Sequence, residues 1–80
     1  MDLKRDGQTF TVVFDKGDTE QDRAAARSAM TLMCVGDAKF LEDGSVEAFV
    51  ARGVTISDVI GMLTCARQAQ QVGVVDTRPL

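Results

Sequence analysis

The chain has 80 residues, a net charge of −3 and 45% hydrophobic residues, a combination that predicts one small folded domain and argues against global disorder. Its mild acidity disfavours nonspecific binding to nucleic acids or to anionic membranes. No apolar run approaches the ~20 residues that a transmembrane helix needs, and the first residues lack the apolar region of a signal peptide. The sequence therefore predicts a cytoplasmic protein.

The same order of turn residues and helix-start residues occurs twice along the chain. The offset is about 36–37 residues, which is a plausible period for a repeated structural unit. Each occurrence has an Asp-Gly pair, an apolar stretch, a glycine and a threonine that opens a helix: Asp6-Gly7, Gly17 and Thr19, then Asp43-Gly44, Gly53 and Thr55. This pattern predicts a strand–turn–strand–helix unit that is used twice.

The first unit begins with a predicted hairpin whose turn is centred on Asp6-Gly7, because an Asp-Gly pair suits a type I′ turn. This turn places Leu3 opposite Phe10. Alternation then collects an apolar face and a mainly polar face: Met1, Leu3, Phe10, Val12 and Phe14 on the first, and Asp2, Lys4, Thr9, Thr11 and Val13 on the second.

The first helix is predicted to run from about Thr19 to Val35, with Asp18 or Thr19 as the N-cap and Gly36 as the C′ residue. Its apolar face is formed by residues at helical spacing: Ala26, Ala29, Met30 and Met33. Cys34, at its end, and Cys65, in the second helix, are predicted to be buried thiols; a disulfide between them is the alternative.

The second unit is predicted to begin with a hairpin whose turn is centred on Asp43-Gly44, which pairs Leu41 with Val46. In this register Phe40 and Phe49 lie side by side on the sheet face that points away from the core. The competing interpretation is a short helix over residues 45–52 that is capped by Ser45.

The second helix is predicted from about Thr55 to Gln71, with one apolar stripe: Ile56, Val59, Ile60, Leu63 and Ala66. Gly61 inside this helix suggests a close approach to the first helix, because glycine otherwise destabilises a helix interior. Residues 72–75 are predicted to add a short edge strand, and residues 77–80 to form a flexible tail.

Several kinds of chemistry lack the residues that they need. The chain has no histidine and only two cysteines, so a conventional zinc site is not expected. Neither common glycine-rich phosphate-binding motif occurs. The acidic residues between 15 and 22 do not have the spacing of a calcium loop. We therefore expect no enzymatic activity, no cofactor and no metal.

Two surfaces are predicted to bind a partner protein. The first is an apolar patch on the open sheet face with an acidic rim: Phe40, Phe49, Val13, Glu42 and Glu47. The second is an acidic cluster that would steer the chain toward a basic partner surface: Asp15, Asp18, Glu20 and Asp22.

These observations predict an α+β fold over residues 1–76, of order β-β-α-β-β-α, with two helices on one face of a four-stranded antiparallel sheet. The predicted function is a small acidic protein-interaction module, such as an adaptor, inhibitor or regulatory subunit, that acts by surface occlusion and forms a homo-oligomer. The alternative is a DNA-binding regulator, because residues 46–67 follow the rhythm of a helix-turn-helix. Against it, the second helix has no Lys or Arg before Arg67, and DNA binding needs cations for the phosphates.

Overall fold

Both predicted hairpins and both predicted helices are present in the computed structural model, which describes the backbone of residues 1–76 and the side chains up to residue 69. The elements in chain order are β1 (Asp2–Asp6), β2 (Thr9–Val13), α1 (Glu20–Met33), β3 (Lys39–Phe40), β4 (Val46–Phe49) and α2 (Ile56–Asp76). The predicted α+β fold and its order are confirmed. The tail predicted at residues 77–80 lies outside the described residues.

The four strands form one antiparallel sheet in the order β1-β2-β4-β3. The hairpins β1–β2 and β3–β4 therefore meet through β2 and β4, which pair antiparallel. The second strand of each hairpin is central and the first strand of each is at an edge. Both helices cover one face of this sheet. A single cluster of buried side chains fills the space between the layers: Phe10, Val12, Ala26, Ala29, Met30, Val46, Ala48, Val50, Val59 and Leu63.

The first hairpin turns one residue later than predicted. Asp6 pairs with Thr9, so Gly7 and Gln8 are the central residues. Gly7 has φ +62°, and no non-glycine residue in the described chain has a positive φ, which is the pattern of a type II′ turn. The pairing is thus shifted by two residues. Because a shift of two preserves the faces, the predicted apolar and polar sets remain correct.

The second hairpin differs from its prediction by a one-residue shift. Phe40, not Leu41, pairs with Val46. The Leu41 N–H donates to the Ser45 carbonyl at 2.8 Å, and the Gly44 N–H donates to the Leu41 carbonyl at 2.9 Å. With Gly44 at φ +91°, this is a three-residue loop whose last residue has the left-handed conformation.

The competing interpretation of residues 45–52 as a helix is wrong, because β4 occupies Val46–Phe49. The first helix of the suggested helix-turn-helix is therefore absent. The edge strand suggested at residues 72–75 is wrong as well, since α2 continues to Asp76.

Each helix begins with a capping box, in which a threonine and an aspartate satisfy each other's backbone N–H groups. The Thr19 hydroxyl accepts from the Asp22 N–H at 3.0 Å, and the Asp22 carboxylate accepts from the Thr19 N–H at 3.2 Å. Thr55 and Asp58 repeat this arrangement at 3.1 and 2.9 Å. Of the two predicted N-caps of the first helix, Asp18 and Thr19, the structure has Thr19. The repeat seen in the sequence thus extends to the hydrogen bonds of the helix starts.

Three smaller predictions about the helices are wrong. The helix α1 ends at Met33 and Cys34 is already extended, so Gly36 lies beyond the C′ position. Cys65 is exposed and Cys34 is half-buried, and both thiols are free. Gly61 is exposed, and a Cβ atom built on it meets nothing within 4 Å, so it serves no close approach between helices.

In the described part of the chain, neither helix combines the length and hydropathy that a membrane crossing requires.

Candidate protein-binding surfaces

The sheet face opposite the helices, here called the outer face, is mainly polar. Its residues follow from the pairing, since directly paired residues share a face. One row across the strands contains Lys4, Thr11, Glu47 and Lys39, and the next contains Asp6, Thr9 and Phe49. Neither α1 nor α2 packs on this side of the sheet, so Phe49 is a solitary aromatic ring in a polar surface.

Phe49 has an apolar neighbour, Val35, that was not predicted from the sequence. Beyond the end of α1, Cys34 forms a β-bridge with Val50, and the Val35 N–H donates to the Phe49 carbonyl at 2.7 Å. Phe49 is 51% exposed and Val35 is 58% exposed. The two residues lie on adjacent backbone segments and form an exposed apolar pair, called the Phe49–Val35 pair below.

The predicted aromatic patch does not form, because the register prediction for the second hairpin was wrong by one residue. Phe40 pairs with Val46, which is buried against the helices, so Phe40 lies on the helix side of the sheet while Phe49 lies on the outer face. Phe40 is nevertheless 61% exposed, because β3 is the edge strand.

The other members of the predicted patch are also dispersed. Val13 lies on the outer face but four residues along β2 from Thr9, the partner of Phe49, a separation of about 13 Å. Glu42 lies in the exposed loop of the second hairpin. Only Glu47, two residues before Phe49 on the same strand, stays on the same face and close to it.

The acidic residues between 15 and 22 have local hydrogen-bond partners. The carboxylates of Asp15 and Asp18 accept from the Met1 ammonium at 3.0 and 2.9 Å. This ammonium is the main cause of the lowered pKa of Asp15. The pKa of Asp18 is lowered chiefly by the hydrogen bond that its carboxylate accepts from the Asp15 N–H.

The remaining two acids of this cluster also have partners. Glu20 accepts from Arg27 at 3.0 Å. Asp22 accepts from Arg67 of α2 at 3.0 Å in addition to its role in the capping box. The acids thus organise the loop before α1 and tie α1 to α2, and this accounts for their presence without a partner.

A groove of about 400 Å³ lies between the free edge of β1 and the flank of α2. Its lining combines five apolar residues with three polar ones: Met1, Leu3, Ile56, Ile60 and Leu63, with Asp2, Thr64 and Arg67. Ile56 is 43% exposed and Ile60 is 51% exposed, although both belong to the apolar stripe that the sequence predicts for the second helix. The exposure of this side could have been predicted from the width of the apolar stripe. Only one side of the stripe, with Val59, Leu63 and Ala66, packs on α1 and the sheet.

The described side chains were compared with the requirements of a metal site. In residues 1–69, no group of three or more Cys, Asp or Glu side chains is placed to hold a metal ion, and no buried side-chain polar atom lacks a hydrogen bond. The expectations of no enzymatic activity and of no metal remain predictions.

Comparisons with protein families, with curated proteins and with solved structures find no match for this chain. The candidate surfaces are therefore assigned from geometry alone.

Proposed function

We propose that this chain is a small non-enzymatic protein-interaction module that acts by surface occlusion, as an adaptor, an inhibitor or a regulatory subunit. The observation that carries the proposal is the Phe49–Val35 pair on a sheet face that no helix covers. An aromatic side chain that is half exposed gains most from entering a pocket on another protein, and a polar surround is the usual rim of such an anchor.

The chemistry of the partner follows from the surround of Phe49. Acidic Asp6 and Glu47 lie near it, but Lys4 and Lys39 lie in the adjoining row. The charges near the ring are thus mixed in sign. An apolar pocket for Phe49 is therefore a stronger requirement on the partner than the basic surface that the sequence analysis expected.

The proposal includes the cytoplasmic location expected from the sequence. It is supported by the two thiols, which are both free although Cys65 is exposed. Exposed free thiols suit a reducing compartment, since an oxidising one favours disulfides.

The proposal is tested by affinity capture from native lysate with quantitative mass spectrometry, using the wild-type chain and Phe49→Ala. We expect a specific partner that wild type retains and that Phe49→Ala loses by at least about tenfold, since an anchor residue contributes about 2 kcal/mol or more. Circular dichroism checks that the variant is folded.

The matched control is Leu32→Ala, because Leu32 is 75% exposed but lies on α1, on the helix side of the sheet. This variant is expected to capture the partner as wild type does. A partner that Phe49→Ala binds normally would show that the Phe49–Val35 pair is not the interface. A mobility shift with mixed-sequence DNA that is lost at high salt would favour the DNA-binding alternative instead.

A further inference from the structure

The free edge of β1 exposes backbone groups that are available for another strand. The Val50 N–H donates to the Gln8 carbonyl at 2.8 Å, so the even-numbered residues of β2 bond to β4. By alternation, Thr9, Thr11 and Val13 bond to Asp6, Lys4 and Asp2 of β1. The N–H and C=O groups of the intervening residues, Leu3 and Arg5, therefore point away from the sheet.

The two edge strands of the sheet differ in length, and so in how many free backbone groups they expose to another strand. The strand β1 has five residues, and β3 has two. A two-residue edge is a common way to prevent pairing, whereas a five-residue edge is a template for it. The apolar groove lies beside β1, so this edge combines free hydrogen-bonding groups with exposed isoleucines of α2.

We propose that this edge binds a second copy of the chain. The two β1 strands pair antiparallel about a twofold axis at Leu3, which joins two four-stranded sheets into one sheet of eight strands. The axis is perpendicular to the sheet, because this places the helices of both copies on the same side. Such an axis pairs odd-numbered residues with odd ones and even-numbered residues with even ones. It therefore lies midway between the two copies of one β1 residue.

The charges of β1 select the register. With the axis at Leu3, Asp2 of each copy lies opposite Lys4 of the other, giving two pairs of opposite charge. With the axis at Lys4, Lys4 faces Lys4 and Asp2 faces Asp6. With the axis at Arg5, Lys4 faces Asp6 but Arg5 faces Arg5. Like charges directly opposite destabilise a strand pair and opposite charges stabilise it. Only the axis at Leu3 pairs side chains of opposite charge without a pair of like-charged side chains, and the Met1 ammonium, which faces Arg5 in this register, is already paired with Asp15 and Asp18.

The same register suits the hydrogen bonds and the groove. Leu3 presents its free N–H and C=O to Leu3 of the second copy, and Met1 faces Arg5. Asp2 and Lys4 are exposed, and in residues 1–69 neither makes an ion pair. The flanks of the two α2 helices, with Ile56 and Ile60, then meet above the joint and remove their apolar surface from water.

This proposal concerns a surface other than the one proposed for partner binding. The outer face is mainly polar, whereas the apolar groove lies on the helix side of the sheet. The β1 edge does not include Phe49, so Phe49→Ala is expected to leave the dimer unchanged, and either proposal can fail alone.

The experiment is sedimentation velocity over a range of micromolar concentrations, with any affinity tag at the C-terminus. The wild-type chain is expected to form a dimer with a concentration-dependent equilibrium. Asp2→Lys and Lys4→Asp each place like charges opposite each other and are expected to weaken the dimer at least about tenfold. The double variant Asp2→Lys/Lys4→Asp restores opposite charges and is expected to recover most of the loss.

Two matched pairs of variants test the details. Asp6→Lys changes the same charge on the same strand but has no opposite residue in the Leu3 register, so it is expected to dimerise as wild type does. Ile60→Asp is expected to weaken the dimer, whereas Leu32→Asp on α1 is not. A wild-type monomer at every concentration, or a dimer in which Asp6→Lys has the same effect as Asp2→Lys, would overturn the proposal.

Discussion

The two β-β-α units of this chain, residues 1–36 and 37–76, share their turn and helix-start residues but differ in their hairpins. Both have an Asp-Gly pair with a glycine at positive φ and a helix opened by a Thr-x-x-Asp capping box. The first hairpin, however, has two strands of five residues, and the second has strands of two and four. The repeat thus determines how the helices begin more strictly than it determines the lengths of the strands.

The loops of the two hairpins also differ in length. In the second loop the Ser45 N–H and hydroxyl both donate to the Asp43 carboxylate, at 2.9 and 2.6 Å, and these bonds hold Ser45 buried at the start of β4. The loop then needs three residues where the first hairpin needs two. The comparison teaches that side-chain hydrogen bonds within a turn can decide how many residues the turn needs.

The largest expected effect contrasts the phenylalanines of the two central strands. Phe10 of β2 is fully buried, and Phe49 of β4 is half exposed, although their positions in the β2–β4 pairing are adjacent. Phe10→Ala is expected to lower the free energy of unfolding by about 3–5 kcal/mol, and Phe49→Ala by about 1 kcal/mol or less. Urea unfolding followed by far-ultraviolet circular dichroism measures both, since the chain has no Trp or Tyr.

A loss above about 3 kcal/mol for Phe49→Ala would mean that Phe49 is a core residue. It would remove the outer-face assignment and, with it, the candidate binding surface. A small loss with intact partner binding would keep the fold and remove only the site.

An intermediate effect is expected at the turn glycines. Gly7 and Gly44 have φ +62° and +91°, where a Cβ atom costs about 1–2 kcal/mol. Gly7→Ala and Gly44→Ala are both expected to destabilise the chain by that amount in the same unfolding assay. Gly61→Ala is the control with the opposite sign: Gly61 is helical and has open space around it, so alanine is expected to stabilise by up to about 1 kcal/mol. Equal effects at all three positions would refute this account of the turns.

The smallest effect is the pH dependence of the capping boxes. The pKa values of Asp22 and Asp58 lie below the ordinary value near 3.8, mainly because each carboxylate accepts a backbone N–H, from Thr19 and Thr55 respectively. A depressed pKa in the folded state stabilises the fold above the unfolded value, and this contribution is lost as the pH falls through the folded pKa.

The midpoint of urea unfolding is therefore expected to fall as the pH drops below about 4. Asp58→Asn is expected to reduce this pH dependence, and Asp22→Asn to reduce it further, because Asp22 also pairs with Arg67. An unchanged pH profile in both variants would show that these carboxylates do not contribute.

The sequence was sufficient for the elements of this fold but not for the relations between strands. The N-cap candidates and the apolar stripes act locally, so they predicted both helices and a helix start at Asp18 or Thr19. Register depends instead on whether a turn has two or three residues, and an Asp-Gly pair is compatible with either. That single ambiguity moved Phe40 to the other side of the sheet and removed the predicted patch.

The candidate surfaces were predictable only in part, for a related reason. The exposure of Phe49 followed from alternation along β4. Val35 became its neighbour through a bridge between Cys34 and Val50, a contact between segments distant in sequence that no local pattern encodes. The stripe on α2 showed which side chains are apolar but not that Ile56 and Ile60 stay exposed beside the edge strand β1.

The shortness of β3 has a consequence for larger assemblies. A chain with two open sheet edges can add copies at both and grow into a fibre. Among the four strands of the described residues, only β1 is long enough to accept a strand. In the proposed dimer both β1 edges are used, and the sheet edges left open are the two-residue β3 strands. Growth of the sheet in that dimer would therefore stop at two copies.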